Sequence, residues 1–521
     1  ALLEWSREGN VLIVVLDMLQ ADIFGDVLEA EPHLREDLDG FRLYRGAVAN
    51  SPSTCLSLPT IHSGRRYDPT RSVQEFYGES VREGSVLNRF AESGYAVSYA
   101  MGLGPCPSAV PSCLTTPVLG RSRRAVAAGE ALHLIDLGLY RVLPDRLREP
   151  LLRDSRGGIV ALVDKAFAVD RARSELLALE RLATSSIVTD SPPTVKMVHT
   201  LITHLPTSLR PDCSAGARRS DRLGAIAQAR CALRPIVTLF EHLKAEGIYD
   251  STDILLIADH GYGFESTAVL GTRDRRFRRM VGALNPTVLV KPAGARGALA
   301  TSDAPVELAD LPRALCGVEA CAPSEGLRDL ESLDARRIRE TFWYSWRHEY
   351  WGLPQIPGIV EYSIQGDLTK FESWSHEPAV YAPGRLLDFR RGRQNSAPYL
   401  GLGWGRRVPT HQPMVDPRAT LSLRAPFDPS HDYEMVVEAR LHHSSPATPA
   451  RVEVLVNGVL VGELVSSQQD AAPREYRLEV PGAALGLAPD TTITFSAVKP
   501  PLGQAPREAL AMQTFVLRPL P

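Results

Sequence analysis

Four short stretches of this chain carry side chains able to do chemistry. The apolar run "NVLIVVLDM" ends on Asp17, and "DILLIADHG" ends on Asp259 and His260, followed by Gly261. "VHTLITHLP" carries His199 and His204, and "NSPSTCLSLPTIHSG" sets Ser51, Ser53, Thr54, Cys55 and Ser57 just before a helix-like segment. Two carboxylates, an imidazole and a hydroxyl brought to one place can hold a hard cation or zinc. A cation so held lowers the pKa of a coordinated Ser or Thr hydroxyl and neutralises charge on a phosphoryl oxygen. Those two roles are the reason such chemistry wants this mixture of residue types.

Each element also has a plain reading. An aspartate at a strand end caps or turns the chain, Asp-His-Gly suits a turn, and hydroxyl residues ahead of a helix cap it. Ser51, Ser53 and Ser57 stand as rival nucleophiles to Thr54, and residue types alone do not choose among them. The arginines of "TRDRRFRR", residues 272–279 with Arg273 among them, could clamp a phosphate or a lipid headgroup, or form a solvated surface. His62, Arg65 and Arg66 are open to the same two readings, and Cys55 reads as a small buried residue.

The elements that must position these groups follow from pattern. "NVLIVVLDM", "PTVKMVHTLIT", "TDILLIADHG" and "NPTVLVKP" are continuous apolar runs rich in β-branched residues, as in strands buried on both faces. Helical segments lie between them: "GSVLNRFAESG", the stretch from about 158 to 183, and "RLGAIAQARCALRPIVTLFEHLKAEG" with its terminal glycine. Alternation of this kind predicts an α/β fold, a mostly parallel sheet flanked by helices, over residues 1–370. In such a sheet ligands bind beyond the carboxyl ends of the strands, which is where Asp17, His204 and the Asp259–His260 pair fall. The helix start after Ser53 adds free N–H groups able to hold an anion.

A linker over 371–385 leads to a different texture at 386–521. There, strand-like runs such as "YEMVVEARL" and "RVEVLVNGVLVGEL" alternate with turns, and "VNGV" marks a hairpin. A C-terminal all-β sandwich domain is predicted. Trp404 in "GLGWGRR" could stack on a sugar or fill the core. The cluster Trp343, Trp346, His348 and Trp351 could be a packing seam or a wall of an acceptor site.

Composition sets bounds. The formal net charge of −3 gives no general attraction to nucleic acid or to an anionic membrane surface. No run of eighteen apolar residues is present. Cys106/Cys113, Cys213/Cys231 and Cys316/Cys321 have spacings that suit three short-loop disulfides, leaving Cys55 unpaired and implying an oxidising compartment.

In this order, the strand-ending Asp17, "STCLSLPTIHSG", "HTLITHLP", "LLIADHG" and "APVELADLPRAL" resemble the alkaline phosphatase and sulfatase superfamily over roughly residues 10 to 320. The T-x-x-S-x-P pattern resembles the bacterial phosphoethanolamine and phosphoglycerol transferases. Sulfatases need Cys or Ser in C/S-x-P-x-R, whereas Cys55 is followed by Leu56 and Ser57. The resemblance implies an alkaline-phosphatase-like fold with Thr54 as nucleophile and Asp17, Thr54, Asp259 and His260 as ligands of one divalent metal, Zn2+ or Mn2+. Met18 stands where sulfatases carry a second Asp. His204 takes the place of a histidine at the substrate phosphate or leaving group, and His199, His62, Arg65 and Arg273 are further substrate-binding candidates.

The activity implied is transfer of a phosphoryl-linked headgroup from a phospholipid to a cell-surface glycan or glycolipid through a phospho-threonine. Alternatives on the same residues are a phosphodiesterase or phosphatase, or a non-catalytic lipid- or glycan-binding scaffold. The expected location is periplasmic or otherwise extracytoplasmic, with the membrane reached through a segment absent from this chain and no nucleic-acid partner.

Overall fold

The run Asn10–Leu16 forms β1, and all seven of its side chains are buried, as a strand covered on both faces must be. The computed structural model of the chain describes residues 2–101 and 105–115 (70 and 112 aside), 171–270, 274–316 and, with short interruptions, 321–520. It divides into two compact units. One comprises Ala1–Tyr67, Gln74–Thr341 and Ile364–Trp374; the other comprises Asp68–Val73, Phe342–Ser363 and Ser375–Pro521.

In the first unit β1 is joined by α1 (Ala21–Ala30), β2 (Arg42–Tyr44), α2 (Thr54–Ser63), α3 (Val86–Glu92), β3 (Ala96–Met101) and β4 (Cys113–Thr115). Then come α4 (Arg171–Thr184), β5 (Thr194–Thr200), α5 (Arg222–Ala245), β6 (Thr252–Ile257), α6 (Arg275–Leu284), β7 (Val288–Lys291) and β8 (Ala300–Ser302). The helical expectation for 158–183 is met from Arg171 onward; residues 158–170 lie outside the described residues. The sheet order is β8-β2-β7-β6-β1-β5-β3-β4. Every strand pair is parallel except those made by β7, which runs against β6 and β2.

Register brings the three chemical strands to one edge. Val15 faces Ile257 on one side and Leu16 faces Thr200 on the other, so Asp17, Asp259 and the turn after Thr200 leave the sheet together. One face of β1, through Leu12, Val14 and Leu16, packs into a core with α1, α4 and α5. α5 is long and apolar enough to cross a bilayer but is packed in this core.

The second unit is built of antiparallel sheets. β9 (Arg418–Arg424), β14 (Asp490–Ala497), β11 (Ala450–Val456) and β12 (Val459–Ser466) form one. β10 (Tyr433–Leu441) pairs with β13 (Arg474–Val480) and β15 (Leu510–Pro519) in the other. Alternate residues such as Leu421, Val437, Val454 and Phe495 meet in one core. The β11–β12 hairpin turns on Asn457 and Gly458 with φ of 49° and 85°, the left-handed pair that such a two-residue turn requires. Trp404 is half-buried, with its indole N–H donated to the Thr420 carbonyl and its ring edge-on to Phe495, so it serves the core. Trp346 meets Tyr344 and Tyr350 edge-on with centroids 6.4 and 6.2 Å away.

Candidate active site

Each of the three strand ends delivers a charged side chain into a buried space. Asp17, His199 and Asp259 are all 0% exposed. Among the described residues their ligand-type atoms form a group lying within 4.8 Å of one another. His199 Nε2 is 3.1 Å from Asp17 Oδ2. Asp259 Oδ1 accepts the N–H of Met18 and that of His260, each at 3.0 Å. Met18 holds φ of 67°, a left-handed backbone rare for a side chain of its size, and so turns its N–H toward Asp259. Thr203 Oγ1 donates to the Asp17 carbonyl at 2.7 Å, tying the turn after β5 to the end of β1.

Helix α2 supplies the hydroxyl. Thr54 is its first residue, and Thr54 Oγ1 lies 3.2 Å from Asp17 Oδ2 and 3.3 Å from His260 Nε2. His260 Nδ1 contacts the Gly261 carbonyl at 2.9 Å, and a carbonyl only accepts. Nδ1 therefore carries the proton, and Nε2 turns its lone pair toward the threonine. Gly261 is required behind this ring: a Cβ there would sit 2.0 Å from the Gly282 carbonyl oxygen.

The rival hydroxyls are engaged elsewhere. Ser53 is the N-cap of α2 and accepts the Cys55 N–H. Ser51 Oγ and Ser57 Oγ both donate to the Ser53 carbonyl, at 3.2 and 2.9 Å. Thr54 alone of these hydroxyls touches Asp17 and His260. Burial, helped by the carboxylates of Asp17 and Asp259, pushes the Cys55 thiol up to about 11, so it stays a neutral thiol.

The electrostatics fit a cation. Burial works to raise the Asp17 carboxyl, but the hydrogen bond and charge of His199 carry it below its ordinary value. Burial works to lower His199, and the Asp17 hydrogen bond and charge carry it above its ordinary value. Asp17 Oδ1 and Asp259 Oδ2 are nevertheless buried with no hydrogen-bond partner. Two orphaned carboxylate oxygens beside an imidazole lone pair and a hydroxyl form a donor set suited to one divalent ion.

No protein-family model and no curated protein matches this chain. Solved structures do. One is a protein in the alkaline phosphatase superfamily from Vibrio parahaemolyticus, 16% identical, covering 71% of this chain and 81% of that one, with a TM-score of 0.40. Another is the lipoteichoic acid synthase LtaP from Listeria monocytogenes, 11% identical, covering 71% and 84%, with a TM-score of 0.36. A third is the C-terminal periplasmic domain of EptC from Escherichia coli, 10% identical, covering 59% and 80%, with a TM-score of 0.31.

The remaining expected residues divide. His204 is half-buried, with Nδ1 against the Leu205 carbonyl, and its charge reaches Asp17. His62 is placed in the core: it is 0% exposed, with Nδ1 2.9 Å from Ser85 Oγ and Nε2 3.1 Å from Tyr99 Oη. Burial pushes it down to about 3. Arg65 is exposed, with its backbone N–H on Ser63 Oγ. Arg273 lies outside the described residues.

Sequence reasoning placed His199 on the substrate; the structure sets it against Asp17 Oδ2. The five-residue step from His199 to His204, one in the strand and one in the turn, was the available signal. Tyr262 was missed altogether. Its hydroxyl is buried without a hydrogen-bond partner, and burial with the Asp17 charge raises its phenol far above the ordinary value.

Proposed function

We propose that this site transfers a phosphoryl-linked headgroup, phosphoethanolamine or phosphoglycerol, from a phospholipid to a hydroxyl of a glycan or glycolipid. The observation that carries the reading is Thr54 Oγ1, held between Asp17 Oδ2 and His260 Nε2 at the start of a helix. Asp17, Asp259, His260 and Thr54, with His199 beside them, are the residues that would hold a divalent ion, zinc or manganese. Such an ion supplies a lowered pKa for the threonine hydroxyl and charge balance for a phosphoryl oxygen.

The chain's own groups do the rest. Thr54 Oγ forms the new bond to phosphorus as the bond from phosphorus to the lipid's glycerol oxygen breaks. The threonine proton passes to Asp17 Oδ2, which lies 3.2 Å from Thr54 Oγ1. His204 gives a proton to the departing diacylglycerol oxygen. In the second step an acceptor hydroxyl attacks phosphorus and Thr54 leaves. The N–H of Thr54, at the start of α2, offers a donor for a phosphate oxygen. The disulfides Cys106–Cys113, Cys213–Cys231 and Cys316–Cys321 support an oxidising, extracytoplasmic setting.

The test uses phosphatidylethanolamine and phosphatidylglycerol with labelled headgroups, incubated with the metal-loaded chain and with glycerol or a disaccharide as acceptor. The reading expects diacylglycerol release, a headgroup adduct on Thr54 in intact-mass spectra, and label on the acceptor. Label recovered only in water-derived products would convert the site to a phosphodiesterase. No release from either lipid would overturn the reading.

A further inference from the structure

Helix α6 has two unlike faces. Phe277, Met280, Val281 and Leu284 are buried, whereas Arg275, Arg276 and Arg279 are exposed. Arginines in the first turns put positive charge at the positive end of the helix dipole, where carboxylates are the stabilising choice. Asp274 offsets part of this by accepting the N–H groups of Arg276 and Phe277, and Glu265 pairs with Arg275 and Arg278. Arg276 has no carboxylate partner among the described residues. The face keeps an unspent positive potential.

The surface beside it is apolar. Phe371 packs edge-on against Phe277 with centroids 5.3 Å apart, yet 65% of it stays exposed. Leu270, four residues before the capping Asp274, is 84% exposed, more than any other large apolar side chain among the described residues. Guanidinium groups bordering protruding Phe and Leu side chains suit the interface of an anionic bilayer. Lipid phosphates meet the arginines, and the apolar side chains reach the acyl boundary. A water-soluble polyanion would use the arginines and gain nothing from Phe371 or Leu270. With a net charge of −3 the whole molecule has no general attraction to an anionic surface, and the positive charge of α6 is local.

We propose that the arginine face of α6, with Phe371 and Leu270 at its border, is a docking surface for an anionic lipid bilayer. The helix also touches the site, since Gly261, next to His260, donates its N–H to the Ala283 carbonyl at 2.7 Å. Docking concerns where the chain binds, and it stands apart from what Thr54 does: Thr54→Ala is expected to bind vesicles as the native chain does.

The experiment is co-sedimentation of the full chain with vesicles of phosphatidylcholine alone and of phosphatidylcholine mixed with phosphatidylglycerol, at low and high salt. The expected result is salt-sensitive binding to the mixed vesicles only. Arg275→Gln with Arg276→Gln should weaken it by more than about tenfold, and Phe371→Ser by about threefold. Both variants should stay folded with a melting transition only slightly lowered, since Phe371 and the two arginines are mostly exposed. Failure of the native chain to bind mixed vesicles, or unchanged binding by both variants, overturns the proposal. So does binding of dextran sulfate by the native chain and Phe371→Ser alike in the absence of vesicle binding, which would make the face a polyanion site.

Discussion

Two groups of buried carboxylates in the first unit are treated in opposite ways. Glu307 is 0% exposed, and both of its oxygens accept from Arg66, at 3.0 and 2.9 Å. Asn50 Nδ2 and the Glu340 N–H add to it, and Arg337 reaches it at 3.4 Å. Asp17 and Asp259 are as deeply buried; among the described residues no arginine or lysine pairs with them, and Asp17 Oδ1 and Asp259 Oδ2 have no hydrogen-bond partner. A buried charge persists only if something compensates it. Around Glu307 the chain provides the cations itself, and the result is a clasp between the segments flanking α2, through Asn50 and Arg66, and residues 307–340. Around Asp17 and Asp259 it provides two imidazoles, His199 3.1 Å from Asp17 Oδ2 and His260 3.5 Å from Asp259 Oδ2, and a donor set that would suit a cation. That difference separates a structural cluster from a site.

The comparison can be broken most forcefully at the hydroxyl. Thr54→Ala should lower turnover by a factor on the order of 10³ or more, while Asp17, Asp259 and His260 still hold the metal, less tightly, and the fold is kept. Ser53→Ala should cost about 1 kcal/mol of stability as a lost helix cap and leave the chemistry in place. Headgroup-release assays beside thermal melts decide it; equal losses in turnover for the two variants would restore the serine to contention.

The second way works on the clasp. Glu307→Ala removes the carboxylate that Arg66 and Arg337 share, leaving Arg66 on Glu340 and Arg337 on Asp310. With Arg66 about one-third exposed, the cost should be about 2–4 kcal/mol rather than the full penalty of a buried pair. Metal content of the folded fraction should not change. Asp259→Asn should do the reverse, emptying the site while the variant melts at or above the temperature of the metal-free native chain, because an uncompensated charge has been removed. Urea titration and metal analysis on both variants read the two effects separately.

The smallest effect concerns His62, a buried polar residue whose ring nitrogens both have protein partners. Its pKa is pushed down to about 3 in the folded chain by burial, against 6.5 for an ordinary histidine. Between those values the unfolded chain binds a proton that the folded chain refuses, so stability rises with pH. The native protein should therefore lose stability progressively as pH falls from about 6.5 toward 3. His62→Gln should flatten that limb, which urea unfolding at a series of pH values would reveal. An unchanged acid limb would place the proton elsewhere.

Much of the fold was readable because it rests on local pattern. "NVLIVVL" and "TVKMVHT" are unbroken apolar runs, and both are strands with every residue buried. Asp17 and the Asp259–His260 pair were readable because they end such runs. What was not readable depends on partners far apart in sequence. Glu307 sits in "APVELADL", which reads as a helix start, and its meaning comes from Arg66, 241 residues away. His199 looks like one more buried strand residue until the register sets it beside Asp17. His62 was open to a phosphate-clamping or a solvated-surface reading, yet the whole of 56–62 in α2 is buried. The rival serines could be set aside only once the backbone showed which carbonyls and N–H groups they hold.

The most direct test of the central claim is metal content by plasma mass spectrometry on the full chain, beside Asp17→Asn and Asp259→Asn. The account predicts about one zinc or manganese per native chain. It also predicts a melting temperature that rises when metal is restored after chelation, and loss of both in the two variants. A native chain that neither holds nor takes up zinc or manganese would contradict the account, and so would a metal that stays bound in both variants.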